Sequence, residues 1–233
     1  MTFKIAFSFL RQLLLLMAIG MISAENLMAQ EVDSQSDRDI ARAHITALKG
    51  GALLVRLQTR AQSLETLKER GLTDKAEELE RRQVEENLEY VKAFISEFDF
   101  APVYFFRSED SKLVKEGRLS EVVFLNDDLV ADSSITVEER SIYTAEFGNV
   151  APDDEKMRQD YRLDKDSTGV KQKATYYGSA DMGFEALVIM DDQFIQLRNP
   201  FPYYVRTYDK KGIITRSAEK AVRKLNQKLH QFY

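Results

Sequence analysis

Two aspartate pairs are the residues of this chain most suited to chemistry. Asp127 and Asp128 follow "EVVFLN", and Asp191 and Asp192 follow "EALVIM". Carboxylates at the carboxyl ends of parallel strands can hold a hard cation such as Mg²⁺ and assist hydrolysis or group transfer. Asp is equally a standard turn former, and "MDDQ" reads as a hairpin turn. A third acidic run, "DKDSTG" (164–169), has the spacing of the first half of an EF-hand loop. Asp164, Asp166 and Thr168 would take the first ligand positions and Gly169 the sharp turn. Its twelfth position is Thr175 instead of a bidentate Glu, so a solvated polar loop is the competing reading. No resident cofactor is expected, and a divalent metal is the one the acids admit.

Other catalytic chemistries lack their residues. The chain has 2 His and no Cys. His44 lies near the N-terminal leader and His230 near the end, neither in a nucleophile–base pattern. There is no G-x-S-x-G, P-loop or G-x-G-x-x-G. Without cysteine there is no thiolate metal site, redox motif, disulfide or lipid-anchoring cysteine. These absences weigh against an enzyme.

Binding is the remaining chemistry. "LRNPFPYYVRTY" (197–208) holds two of the 4 prolines among aromatics and arginines. Phe201, Tyr203 and Tyr204, with Arg198 and Arg206, would form an exposed platform, since aromatics with a polar tip favour interfaces. The prolines also restrict the residues before them and remove backbone donors, which suits a stiff connector that tucks its rings into the core. The connector is the preferred reading. Arg56, Arg107, Arg198 and Arg206 all fall in or beside strand patterns. They could clamp an anion, or lie over the sheet and pair with the abundant acids.

The elements that must position these residues alternate between strand and helix periods. "DIARAHITALKGG" (39–51) reads as a short helix, and "ALLVRLQT" (52–59) as a strand. Residues 61–98 are helical with a break at Gly71. Val84, Leu88, Val91, Ile95 and Phe98 form the apolar seam of the second half. "PVYFF" (102–106) is a strand pattern and "SEDSKLVKEG" (108–117) a short helix. "EVVFLND" (121–127), "IYTAEFG" (142–148), "EALVIMD" (185–191) and "QFIQLR" (193–198) are further strands, the last two forming a hairpin. "YYVRTY" (203–208) is one more. "SAEKAVRKLNQKLHQFY" (217–233) closes as an amphipathic helix capped by Ser217, with Ala218, Ala221, Val222, Leu225 and Leu229 on one face. The predicted class is α/β: a two- or three-layer sandwich with a mixed, partly parallel sheet of about five to seven strands covered by helices. Residues 30–47 would be a flexible leader or short helix and 48–233 a single domain. A long polar loop is expected at 149–180.

The whole chain bounds the partners. Its 233 residues are 44% hydrophobic and 30% charged, with 10 Tyr and 14 Phe, enough for a core. A net charge of −5 and a pI of about 5.3 argue against nucleic-acid binding. The N-terminus places Lys4 and Arg11 before an apolar run from Gln12 to Ile22, then small residues and an acidic polar segment. This is the layout of a signal peptide, with cleavage after Ala24 or, preferably, Ala29. An uncleaved anchor is the alternative, and no second stretch reaches membrane-spanning length. Export to the periplasm is expected, with the cell surface or secretion as alternatives.

The segments "GALLVRL", "FAPVYFF", "TAEFG" and "LVIMDDQFIQLRNPFPYYVRTY" resemble a group of exported proteins of unknown function from Bacteroidota. The resemblance spans about residues 48–228. It implies export in a Gram-negative envelope and carries no activity, cofactor or catalytic residue. The expectation is an exported envelope protein acting as a non-catalytic binding or assembly module for a small ligand or another envelope protein. The alternative is a metal-assisted hydrolase or transferase using Asp127, Asp128, Asp191 and Asp192.

Overall fold

The computed structural model describes residues 36–138, 140–150, 184–207 and 215–233. The expected signal peptide and the calcium-like loop with Asp164, Asp166 and Thr168 lie outside them. Among the described residues, a helix α1 through 36–49 is followed by β1 (Ala52–Leu57), α2 (Ala61–Glu69), α3 (Thr73–Glu97) and β2 (Val103–Arg107). A short α4 (Ser111–Lys115) leads to β3 (Phe124–Leu125), β4 (Ile142–Asn149), β5 (Glu185–Met190), β6 (Tyr204–Arg206) and α5 (Ala218–Phe232).

The strands form one mixed sheet in the order β3-β2-β1-β4-β5-β6. β1 is parallel to β2 on one side and to β4 on the other. β3, β5 and β6 each run antiparallel to their neighbours. The chain is therefore α/β with a partly parallel sheet, as its alternating periods predict. The long link from β1 to β2 carries α2 and α3, the crossover that a parallel pair requires.

Strand alternation sends side chains to two faces. Leu53, Val55 and Leu57 of β1 join Phe105, Tyr143, Ala145, Leu187 and Ile189 under α1, α3 and α5. Leu54 and Phe106 point the other way, into a smaller cluster with Val114 of α4, Val122 and Phe124. One face thus carries a full helical layer, and the other has a partial cover over β1, β2 and β3. Burying side chains such as Phe94, Phe100 and Phe106 removes large apolar areas from water, each stabilising by about 1.5–3 kcal/mol.

The C-terminal helix matches its sequence pattern. Ser217 accepts the Lys220 backbone N–H at 3.4 Å, and Ala218, Ala221, Val222, Leu225 and Leu229 are all buried. Helix α1 is docked, with Ala41, Ile45 and Leu48 in the main core. At Gly51 a Cβ atom would sit 2.1 Å from the Ser141 carbonyl oxygen, so only glycine admits this turn into β1. Gly71 breaks the long helical region with φ +70°.

Two expectations are corrected. The buried face of α3 is Ala76, Gln83, Asn87, Val91, Ala93 and Phe94, while Val84 and Ile95 are exposed. Val91 and Phe98 of the predicted seam are buried, but Gln83 and Asn87 take the inward places expected of Val84, and Asn87 Nδ2 donates to the Gln58 carbonyl at 2.9 Å at the end of β1. The second concerns "QFIQLR", which is no strand beyond a single bridge at Gln196. The strand that pairs with β5 is β6, and the segment between them holds Phe194 at φ 59° and a cis Asn199–Pro200 bond.

Candidate functional site

β1 and β4 are adjacent and parallel, yet the chain after β1 winds to β2 on the opposite side. The direction of winding reverses between them. In open α/β sheets such a reversal leaves a crevice outside the carboxyl ends of the strands, where ligands bind. A cleft of about 540 Å³ lies there. Gln58 and Arg60 enter it from the end of β1, Glu146 to Asn149 from β4, and Glu185 from the start of β5. Glu86, Glu89 and Tyr90 come from α3, and Arg216 from the approach to α5.

Most charged groups of the cleft have a local partner among the described residues, Glu185 excepted. Arg56 Nη1 donates to Glu146 Oε2 at 2.7 Å, and Gln58 Nε2 donates to the same oxygen at 3.2 Å. Arg60 lies 3.7 Å from Glu86. Glu89 Oε1 accepts the Ala218 backbone N–H at 3.4 Å. Arg216 Nη1 donates to the Arg206 carbonyl. The Tyr90 ring stacks on Phe147 with centroids 4.0 Å apart and planes at 11°. Burial, with the charges of Glu86, Glu89 and Glu185, pushes the Tyr90 phenol up to about 12, against the opposing effect of Arg60. Its hydroxyl stays protonated and able to donate at any physiological pH.

The aspartate pairs lie elsewhere. β3 runs toward the start of β2, pairing Phe124 with Phe106 and Leu125 with Phe105. β5 runs toward the start of β4, pairing Met190 with Thr144. Both pairs therefore sit at the amino ends of the parallel strands, opposite the cleft. Three strands separate β3 from β5, a span of about 19 Å at the usual strand spacing. Asp127 and Asp128 are exposed in one turn, and Asp191 and Asp192 lie in another. The Asp191 carboxylate is occupied by the backbone N–H groups of Gln193 and Ile195 at 2.9 and 2.8 Å. Among the described residues no three or more His, Asp or Glu side chains gather as a metal site.

The aromatic stretch is a connector. Phe201 is 1% exposed and Tyr203 8%, both in the main core. Tyr204 is half-buried, its ring 4.8 Å from that of Tyr203 and 5.4 Å from that of Phe184. Nor do the four arginines converge. Arg56 serves Glu146, Arg107 Nη2 donates to the Leu129 carbonyl at 3.5 Å, and the Arg206 guanidinium lies 4.3 Å from the Phe184 ring centroid. Arg198 is exposed in the connector.

The two histidines stand at the amino-end side of the sheet as well. His44 Nδ1 is 2.9 Å from the Tyr143 hydroxyl, and His230 Nε2 is 2.8 Å from Asp99 Oδ1. The cleft itself escaped sequence reasoning. Polar residues directly after two strand patterns, "QTR" after β1 and "GN" closing β4, are the signal that marks it. Their meaning depends on the two strands being parallel neighbours. No helix of the described residues is long and apolar enough to cross a membrane. The chain matches no family model, no curated protein and no solved structure.

Proposed function

We propose that this chain is an exported cell-envelope protein that works as a non-catalytic binding module, with the cleft over the carboxyl ends of β1 and β4 as its ligand site. The observation that carries the reading is the position of the cleft. It occupies the reversal of winding in the sheet, the place where open α/β folds seat their ligands. The N-terminal charge-and-apolar pattern and the resemblance to exported proteins support the location. A binding role is supported by the chemistry of the cleft. Three of its four carboxylates are held, Glu146 by a guanidinium and an amide, Glu86 by a guanidinium and Glu89 by a backbone N–H, which suits recognition more than proton transfer.

The test combines fractionation with labelling in cells. A photoreactive residue is placed at Asn149, in the cleft, or at Asp127, at the opposite end of the sheet. We expect a shortened chain in the periplasmic fraction and a discrete adduct from position 149 alone. A full-length cytoplasmic chain would sink export. Equal labelling at both positions, or none at 149, would sink the cleft.

A further inference from the structure

We propose that α5 carries a membrane-attachment surface, a lysine stripe of Lys220, Lys224 and Lys228 that seats this chain on a bilayer containing anionic phospholipid. The assignment does not depend on what the cleft holds.

The two flanks of α5 differ in how their charges are met. On one flank Arg223 donates to both carboxylate oxygens of Glu97 at 2.7 and 2.6 Å, and Asn226 and His230 each lie 2.8 Å from Asp99 Oδ1. Glu219, the only acid of α5, acts on Arg223 on that flank. The other flank carries Lys220, Lys224 and Lys228. They are four residues apart and so stand on successive turns, in a line of about 12 Å. Among the described residues no carboxylate comes within ion-pair distance of these three lysines. In a chain of net charge −5, one flank of a helix has kept its acids away.

The fold accounts for only part of this. Tyr203 and Thr207 bond to β5, so strand alternation turns the carbonyls of Tyr204 and Arg206 outward at the edge of the sheet. Lys228 Nζ donates to the first at 2.9 Å, and Arg216, just before the helix, donates to the second. These two cations close the edge of β6. Lys220 and Lys224 lie between them, exposed, and hold no hydrogen bond or ion pair among the described residues. Helix stability does not call for them. Lys220 sits in the first turn, where the positive end of the helix dipole disfavours a cation. Burial, then the charges of Lys224 and Arg216, hold the Lys228 amine below the usual lysine range. The stripe therefore repels itself in the free protein, and a layer of anions relieves the repulsion.

The geometry favours a flat array of anions over other anionic partners. An acidic strand adding to β6 would need the Tyr204 and Arg206 carbonyls, which are already taken. A small anion would need a concave site, and none of the three lysines lines the cleft. Ammonium groups along an exposed flank suit many weak contacts with phosphates in a plane, each lysine strengthening attachment about fivefold. Arg216 both precedes the stripe and lines the cleft, so attachment sets the cleft beside the bilayer.

The experiment sediments the chain from residue 30 onward, which holds every described element, with vesicles of phosphatidylcholine alone or mixed with phosphatidylglycerol. Sedimentation with the mixed vesicles alone is expected, and high salt should release the chain. The pair Lys220→Gln and Lys224→Gln should weaken partition about 25-fold. Both positions are exposed, and an unchanged thermal midpoint verifies folding. Lys68→Gln with Lys75→Gln removes the same charge from exposed positions on α2 and α3, and should change partition little. Equal losses from the two pairs would overturn the stripe, as would equal binding to both kinds of vesicle, or binding to neither. Binding of poly-glutamate through Lys220 and Lys224 without any vesicle binding would assign the stripe to an acidic protein and overturn the membrane.

Discussion

Asn126 and Asp191 play the same part in two turns 65 positions apart in sequence. Each side-chain Oδ1 accepts the backbone N–H groups two and four residues ahead: Asp128 and Val130 at 3.0 Å for Asn126, Gln193 and Ile195 at 2.9 and 2.8 Å for Asp191. Each turn closes with a backbone bond to the fifth residue, Asn126 to Val130 and Asp191 to Ile195. Each places a bulky residue in the left-handed region at its fourth position, Leu129 at φ 63° and Phe194 at φ 59°. The acidic pairs are thus parts of a turn motif used twice, with the leading side chain acting as a scaffold for the backbone.

If Asp191 is a scaffold, Asn will replace it. Asn126 does the same work with a carboxamide oxygen. Asp191→Asn should leave stability within about 0.5 kcal/mol, and Asp191→Ala should cost about 1–2 kcal/mol as two N–H groups lose their acceptor. Thermal unfolding of both variants decides it. A large loss from Asn, matching that from Ala, would mean that the carboxylate charge matters and would revive a cation at this turn.

Phe194 separates backbone strain from packing. Its left-handed backbone costs about 1–2 kcal/mol, which glycine would relieve. Its ring packs against both cores, and the Arg56 and Lys115 cations each lie 5.3 Å from the ring centroid. Phe194→Gly is expected to destabilise overall, because lost ring contacts outweigh the relief. Denaturant unfolding should show a lower midpoint. A higher midpoint would show that strain dominates.

The connector is tested at its buried ring. Phe201→Ala removes a side chain that is 1% exposed and meets His44 and Phe232 at centroid distances of 6.3 and 6.2 Å. A loss of about 3–5 kcal/mol is expected, or roughly 6–20 °C in Tm for a domain of this size. A loss under about 1 kcal/mol would place the ring at the surface and return the stretch to the role of a platform.

Alkaline titration reads Tyr90. Its phenol is raised from 10 to about 12 by burial first and by Glu86, Glu89 and Glu185 next. With the folded value above the unfolded one, the folded state holds a proton that the unfolded state has lost. The stabilisation is full below about pH 10 and disappears as pH rises toward about 12. Tyrosinate absorbance should show a late step near pH 12 that Tyr90→Phe removes. Tyr143 is also raised by burial and by Asp191 and Asp192, so a second late step should survive in that variant.

Local pattern was enough for the elements whose burial follows from their own period. The face of α5 from Ala218 to Leu229 was legible, because one face of a packed amphipathic helix must be apolar wherever it docks. Strand direction was not. Whether β3 and β5 run with or against β1 depends on pairings between residues far apart in sequence, such as Thr144 with Met190. That direction put Asp127, Asp128, Asp191 and Asp192 at the amino ends of the parallel strands, and it left Gln58, Glu146 and Asn149 to share the carboxyl end. The inward places of Gln83 and Asn87 on α3 were not legible either: Asn87 donates to a carbonyl 29 residues earlier, a partner no helical period records. Sequence alone determined which residues seek the core; long-range pairing decided which polar residues meet, because hydrogen bonds between strands act across the chain and leave no local signature.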